Sequence, residues 1–229
     1  TMFLPTITKI VTEQDSEKKL TNLTVRVGRI QLLILGLVLV GFLAIGRDFI
    51  SVWLGERYMA AYYVASSVLI ATTIPCIQNI GIVILQVKNQ MRFRVFSYLG
   101  VCIGNVILSF ILSPHFGAIG AAFGTVLSLI VGNILIINLY YHKKIGLDMP
   151  CIYRETFKGI LPVIIISLGG ALIINAFIAL SGWIGLLVKG IVVCTLYFAA
   201  AWFIGMNCYE KNLVIFPIKR LLMKTKEIK

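Results

Sequence analysis

Two histidines, five cysteines and nine carboxylates are the groups in this 229-residue sequence most suited to covalent or proton-transfer chemistry. They do not gather. His115 and His142 fall in loops on opposite sides of the apolar segments delimited below, so one metal ion or one proton relay cannot use both. Cys76, Cys102 and Cys194 lie inside apolar segments, and Cys151 and Cys208 lie between or after them. No CxxC pair occurs, so neither a zinc site nor a disulfide framework has support. A nucleophile needs a neighbouring base and a third group that orients it, and no Ser, Cys or Thr has such company. No phosphate-cradling glycine motif is present. Asp48 and Glu56 flank one loop, a weak acid pair. The expectation is a protein that is not an enzyme, with no catalytic residue, no metal and no cofactor.

The remaining polar side chains point elsewhere. Thr72, Asn79 and Gln86 are spaced seven apart, about two helical turns, and therefore share one face of a helix. Gln78 and Pro75 adjoin that stripe. Pro75 lacks the N–H that would bond the Ala71 carbonyl, so a kink is expected there. Polar groups in an apolar setting need partners or a water-filled cavity. The stripe reads either as the wall of a polar passage or as hydrogen-bonding glue to a neighbouring helix. Asn105, Asn133 and Asn138 carry the same two readings. Lys88, Arg92 and Arg94 form a short basic cluster suited to phosphate, whether of a substrate or of anionic lipid headgroups.

These groups are set in a sequence that is 59% apolar and 13% charged, with a mean hydropathy of +0.96. Soluble domains run at about 45–50% apolar and about 25% charged, so a water-soluble globule and a disordered chain are both excluded. Six long apolar stretches follow one another: Ile30–Gly46, Tyr62–Val87, Val95–Leu112, Ala118–Tyr141, Gly159–Leu180 and Ile184–Gly205. The first five contain no charged residue. The sixth contains Lys189, near enough to its end for the ammonium to snorkel to the headgroups. Barrel strands would instead alternate over about 10 residues. The expected fold is an all-α polytopic membrane helix bundle. Its expected divisions are 1–29, the end of a preceding helix and a cytoplasmic loop; 30–205, the six-helix transmembrane domain; and 206–229, a basic cytoplasmic tail with an amphipathic stretch at Leu213–Lys224.

The net charge of +12 would point to nucleic acid in a soluble protein. Its distribution points to a membrane. Lys9, Lys18, Lys19, Arg26 and Arg29 precede the first stretch; Lys88, Arg92 and Arg94 lie between the second and third; Lys143, Lys144, Arg154 and Lys158 lie between the fourth and fifth; Lys211, Lys219, Arg220, Lys224, Lys226 and Lys229 follow the sixth. That places 18 basic residues on one side and three, Arg47, Arg57 and Lys189, on the other. Positive charge collects on the cytoplasmic side, so both ends of this segment are expected there. A membrane location and no nucleic-acid partner follow. The sequon at Asn22–Thr24 then lies on the wrong side for glycosylation.

Small residues recur at four-residue steps: Gly100 and Gly104, then Gly120, Gly124, Ser128 and Gly132. Such faces let two helix backbones approach closely. The expectation is an antiparallel hairpin of the third and fourth stretches, turning at Ser113–Gly117. The opening TMFLPTITKIV, too short to span and starting without Met, reads as the tail of an earlier helix, so the chain is expected to be the C-terminal portion of a longer protein.

Four stretches carry a family resemblance. Phe3–Ile10 (FLPTITKI), Asp48–Ala61 (DFISVWLGERYMAA), Lys88–Arg94 (KNQMRFR) and Pro114–Ser128 (PHFGAIGAAFGTVLS) occur in the order and spacing of the C-terminal half of bacterial polysaccharide (O-antigen) flippases. These belong to the multidrug/oligosaccharidyl-lipid/polysaccharide exporter superfamily. The resemblance extends from Met2 to about Arg154, beyond which only hydropathy and spacing agree. It implies a two-lobed transporter of twelve to fourteen helices, of which this chain would supply six transmembrane helices: most of one lobe plus two extra C-terminal helices. It implies flipping of undecaprenyl-pyrophosphate-linked oligosaccharide units across the bacterial inner membrane for polysaccharide, O-antigen and lipopolysaccharide synthesis. The implied partners are that lipid-linked oligosaccharide, the N-terminal lobe and the membrane lipids.

The family's central cationic cavity is shared between lobes, and these six stretches carry no deep charge, so its cations would come largely from the other half. On this reading Thr72, Gln78, Asn79, Gln86 and Asn105 face the inter-lobe cleft, and Lys88, Arg92 and Arg94 face phosphate on the cytoplasmic side. A drug or small-molecule exporter of the same superfamily would want acidic residues within the spans. A non-transporting membrane scaffold would need no polar stripe.

Overall fold

The computed structural model describes residues 4–13, 15–177, 182–213 and 215–216. It is all-helical over these residues. The elements are α1 (Leu4–Val11), α2 (Ser16–Trp53), a 3₁₀ turn at Glu56–Tyr58, α3 (Ala60–Ile77), α4 (Asn79–Val87), α5 (Met91–Leu129), α6 (Asn138–Tyr140) between two π-wound stretches (Ile130–Ile137 and Tyr141–Ile145), α7 (Met149–Phe157), α8 (Ile160–Phe177) and α9 (Gly182–Ala200), which continues π-wound to Gly205.

Among the described residues, four helical runs are long and apolar enough to cross a membrane, or up to five if α7 and α8, bent by 41° at their joint, form one span. Helices suit this composition because hydrocarbon offers backbone groups no partner outside the segment. One run, Met91–Ile145, is 55 residues long. It is not straight: Gly117 takes φ 61°, ψ −140°, a conformation that a side chain resists. The chain turns back there, and the two arms press together. A Cβ on Gly120 would lie 2.4 Å from the Leu112 carbonyl oxygen, one on Gly124 2.9 Å from the Ser109 nitrogen, and one on Gly132 1.9 Å from Val101 Cγ2. Gly104 is looser, 3.9 Å from Ser128 Oγ, and Gly100 borders open space.

Among the described residues two cores hold the helices. One joins Ile7, Leu20, Ile80, Ile84, Leu85, Ile137, Tyr141, Ile145 and Ile152. The other joins α2 to α8 and α9 through Leu32, Leu33, Val40, Ile160, Val163, Ala171, Val193 and Tyr197. Within it the Tyr197 hydroxyl donates to the Leu33 carbonyl at 2.7 Å, in space left by Gly36, whose Cβ would lie 2.4 Å from that oxygen. The outer surface is apolar: on α5, Val95, Phe96, Leu99, Val106, Ile107, Phe110 and Ile111 are each more than half exposed. A water-soluble monomer rarely shows an apolar patch beyond a few hundred Å². The protein is a multi-pass helical membrane protein.

Several expected boundaries move. Residues 16–29 are not loop but the first turns of α2, which runs unbroken for 38 residues, about 57 Å. At the α1–α2 turn the Lys19 ammonium donates to Glu13 at 2.7 Å and holds that carboxyl below its ordinary range. The expected loop from His142 to Lys158 contains α7, opened by Asp148, whose carboxylate accepts from the Cys151 N–H, with Pro150 in the first turn. The second apolar stretch is not one kinked helix: it breaks into α3 and α4 at Gln78, three residues past Pro75.

Two basic residues are placed differently too. Lys189 does not snorkel; it is 8% exposed and its ammonium meets Asp48 Oδ2 at 2.5 Å. Arg29, expected among solvated loop charges, is 5% exposed. The tail does not leave the bundle at 206: residues 208–213 are helical and Glu210 is 6% exposed. The expected tail residues 217–229, including Lys219, Arg220, Lys224, Lys226 and Lys229, lie outside the described residues.

Candidate functional site

The break between α3 and α4 is built around one side chain. Gln78 has φ −89°, ψ 7°, outside the helical range, and its N–H bonds the Pro75 carbonyl at 3.1 Å. Its carboxamide nitrogen donates to Asn138 Oδ1 on α6 and to the Tyr153 hydroxyl on α7. Asn138 Nδ2 donates to the same hydroxyl at 2.8 Å. Three elements are thus tied at the point where a helix is interrupted. Gln78 is 5% exposed and walled off by its own chain, so in this conformation it does not face a cleft.

A second network joins α4, α5 and the π-wound stretches. Arg94, near the start of α5, donates to the Tyr141 hydroxyl (3.2 Å) and the Tyr98 hydroxyl (3.0 Å), with its guanidinium carbon 4.8 Å from the Tyr98 ring centroid. Tyr98 in turn donates to Asn133 Oδ1 at 3.1 Å. Gly81 on α4 admits the Tyr141 ring, which a Cβ there would meet at 2.6 Å. Lys88 donates to the Ile145 carbonyl at 3.0 Å, a cation at a helix C-terminus. Phe93 stacks on Tyr140 with centroids 3.7 Å apart. Arg92 is exposed.

The five residues expected to share a cleft are dispersed. Thr72 bonds the Leu69 carbonyl within its own helix at 3.1 Å. Asn79 and Gln86 are exposed together on α4, where their spacing of seven survives; the break at Gln78 separates them from Thr72. Asn105 belongs to a different feature, an open groove of about 790 Å³ between α3 and the hairpin. There its Oδ1 accepts from Ser109 (3.0 Å) and Thr125 (3.1 Å), and Val64, Phe110 and Ala121 complete the walls. This groove mixes hydroxyls and an amide with apolar surface and contains no charged residue.

Among the described residues, the most heavily bonded side chain is one that sequence reasoning placed in a loop. Arg29 Nε and Nη2 contact the two Glu210 carboxylate oxygens at 2.6 and 3.3 Å, while Nη1 donates to the Glu155 and Lys158 carbonyls (2.9 and 2.7 Å) and Nη2 to Gly205 (2.8 Å). All five N–H groups of the guanidinium are used. It binds the C-terminal ends of α7 and α9, where helix dipoles favour a cation, next to Gly159, whose φ of +84° makes the bend into α8.

Tyr98, Tyr141, Tyr153 and Glu210 were not singled out from the sequence. A signal existed for Tyr153, since Asp148 with Pro150 marks a helix start that would have lifted it out of a loop. No group of three or more His, Cys, Asp or Glu side chains among the described residues could hold a metal ion. No protein-family model, curated protein or solved structure matches the chain.

Proposed function

We propose that this chain is one half of a transporter that flips a polyprenyl-diphosphate-linked oligosaccharide across the bacterial cytoplasmic membrane. The observation that carries the reading is the apolar helix interrupted at Gln78 and cross-tied by Asn138 and Tyr153. Transporters use broken helices at membrane depth because an interruption frees backbone and amide groups that can re-pair as the helix halves move. A simple scaffold has no need of one.

The remaining support is chemical. A sugar diphosphate cannot cross about 30 Å of hydrocarbon unaided. Asn79 and Gln86 offer amides on an exposed face of α4, and the separate groove at Asn105 carries an amide and hydroxyls. The basic cluster around Lys88, Arg92 and Arg94 lies at the end read as cytoplasmic, where the diphosphate would enter. On this reading the six crossings would be α2, α3 with α4, the two arms of the hairpin, α8 and α9. An N-terminal lobe would close the cleft.

The test is deletion of the gene in its own host. The expected result is accumulation of lipid-linked oligosaccharide on the cytoplasmic leaflet and loss of surface glycan, both restored by the full-length wild-type protein. Asn79→Leu, at an exposed position, should insert normally and restore export poorly. Unchanged surface glycan in the deletion strain overturns the proposal. Export of small organic cations instead would move the protein to the drug-exporter reading.

A further inference from the structure

Along one face of α5, Met91, Arg94, Val95, Tyr98, Leu99 and Cys102 form a shallow, widely open surface groove. These residues fall three to four apart over 11 positions, a stripe about 16 Å long on an α-helix. That is about the depth of one leaflet of a bilayer whose hydrocarbon is about 30 Å thick. The groove is apolar along its length and charged at one end. At that end Arg94 donates to the Tyr98 and Tyr141 hydroxyls. Two of the five guanidinium N–H groups are committed there, which leaves three for an acceptor. Val95 and Leu99, 60% and 58% exposed, keep the apolar part open.

We propose that this groove binds an anionic phospholipid of the bilayer, its phosphate on Arg94 and one acyl chain along Val95, Leu99 and Cys102. The chemistry recognised is a phosphate monoanion attached to a hydrocarbon chain. Charge complementarity selects the anionic lipid: the guanidinium is a cation, and its fork matches phosphate oxygens better than an ammonium would. The inference needs only the membrane setting and does not depend on the translocation reading.

Native mass spectrometry of the full chain from detergent micelles, titrated with phosphatidylglycerol, phosphatidylcholine or inorganic phosphate, tests it. Wild-type protein should retain phosphatidylglycerol with a preference over phosphatidylcholine of about fivefold or more, the scale of one basic residue at an anionic surface. Inorganic phosphate should not compete at equal concentration. Arg94→Gln should reduce the preference to within twofold, while Arg57→Gln, exposed at the opposite end, should keep it. Leu99→Trp, at an exposed position, should reduce retention by filling the groove while leaving Arg94 and the thermal melt intact. Equal retention of both lipids by wild type, an unaltered preference in Arg94→Gln, or displacement by inorganic phosphate each overturns the proposal. None of these readouts involves glycan export, so failure here leaves the transporter proposal to its own test.

Discussion

Replacing Arg29 with methionine should destabilise the protein more than any other single substitution of a basic residue. The guanidinium is 5% exposed and makes five hydrogen bonds, two to Glu210 and three to carbonyls at the ends of α7 and α9. Methionine fills a similar volume and restores none of these. Glu210 would be left 6% exposed with only the Asn207 N–H as a described partner, at 2.9 Å. Breaking one side of a buried ion pair costs about 3–5 kcal/mol, or roughly two to four orders of magnitude in the folding equilibrium. Arg29→Lys should recover only part of this, because an ammonium has three donors on one atom and cannot span acceptors on three segments. Reversible unfolding in mixed maltoside and dodecyl-sulfate micelles, followed by tryptophan fluorescence, reads the loss. The double variant Arg29→Met with Glu210→Leu should lose less than the two singles added together, since it strands no charge. A loss below about 1 kcal/mol for Arg29→Met would refute the reasoning, because it would place the pair in water, where such bridges are worth about that much.

Three smaller predictions rest on close approaches and on the Lys189–Asp48 ion pair. Gly132→Leu should force apart the hairpin arms, since even a Cβ would lie 1.9 Å from Val101 Cγ2; disulfide trapping between cysteines placed on the two arms should fall, whereas Gly100→Leu, facing open space, should leave it unchanged. Gly81→Ala should lower thermal stability by about 1–3 kcal/mol, the usual cost of overpacking, because the Tyr141 ring it meets at 2.6 Å is pinned by Arg94; Gly81→Ala with Tyr141→Leu should recover most of it in the same melt. Lys189→Met should destabilise α9 insertion less than Asp48→Asn does, because Asp48 is 43% exposed at its side chain and stays hydrated alone, whereas Lys189 is 10% exposed and would keep an unpaired buried charge; equal effects in a protease-protection assay would contradict this.

Much of the architecture is legible in the sequence for a simple reason. Long uncharged stretches become helices in hydrocarbon because no other backbone arrangement within a single segment satisfies its own hydrogen bonds. The glycine steps at 120, 124 and 132 encode a close approach directly, since only an absent Cβ permits it. The polar residues were legible as residues and not as a site. Asn105 was named, but its partners Ser109 and Thr125 come from two arms of a hairpin. Gln78 and Asn79 are adjacent in sequence and share a composition, yet one is buried and the other exposed.

What the sequence determines by itself is the number and length of the apolar runs and the helical state they take. The tertiary structure alone decides which face of each helix is inside: that Gln78 turns toward Asn138 and Tyr153, that Arg29 closes on Glu210, and that Lys189 finds Asp48. The physical reason is that a bilayer is as apolar as a protein interior. In water, hydrophobicity tells a side chain's inside from its outside; in lipid it does not, and only the shapes and hydrogen-bonding groups of neighbouring helices remain to choose.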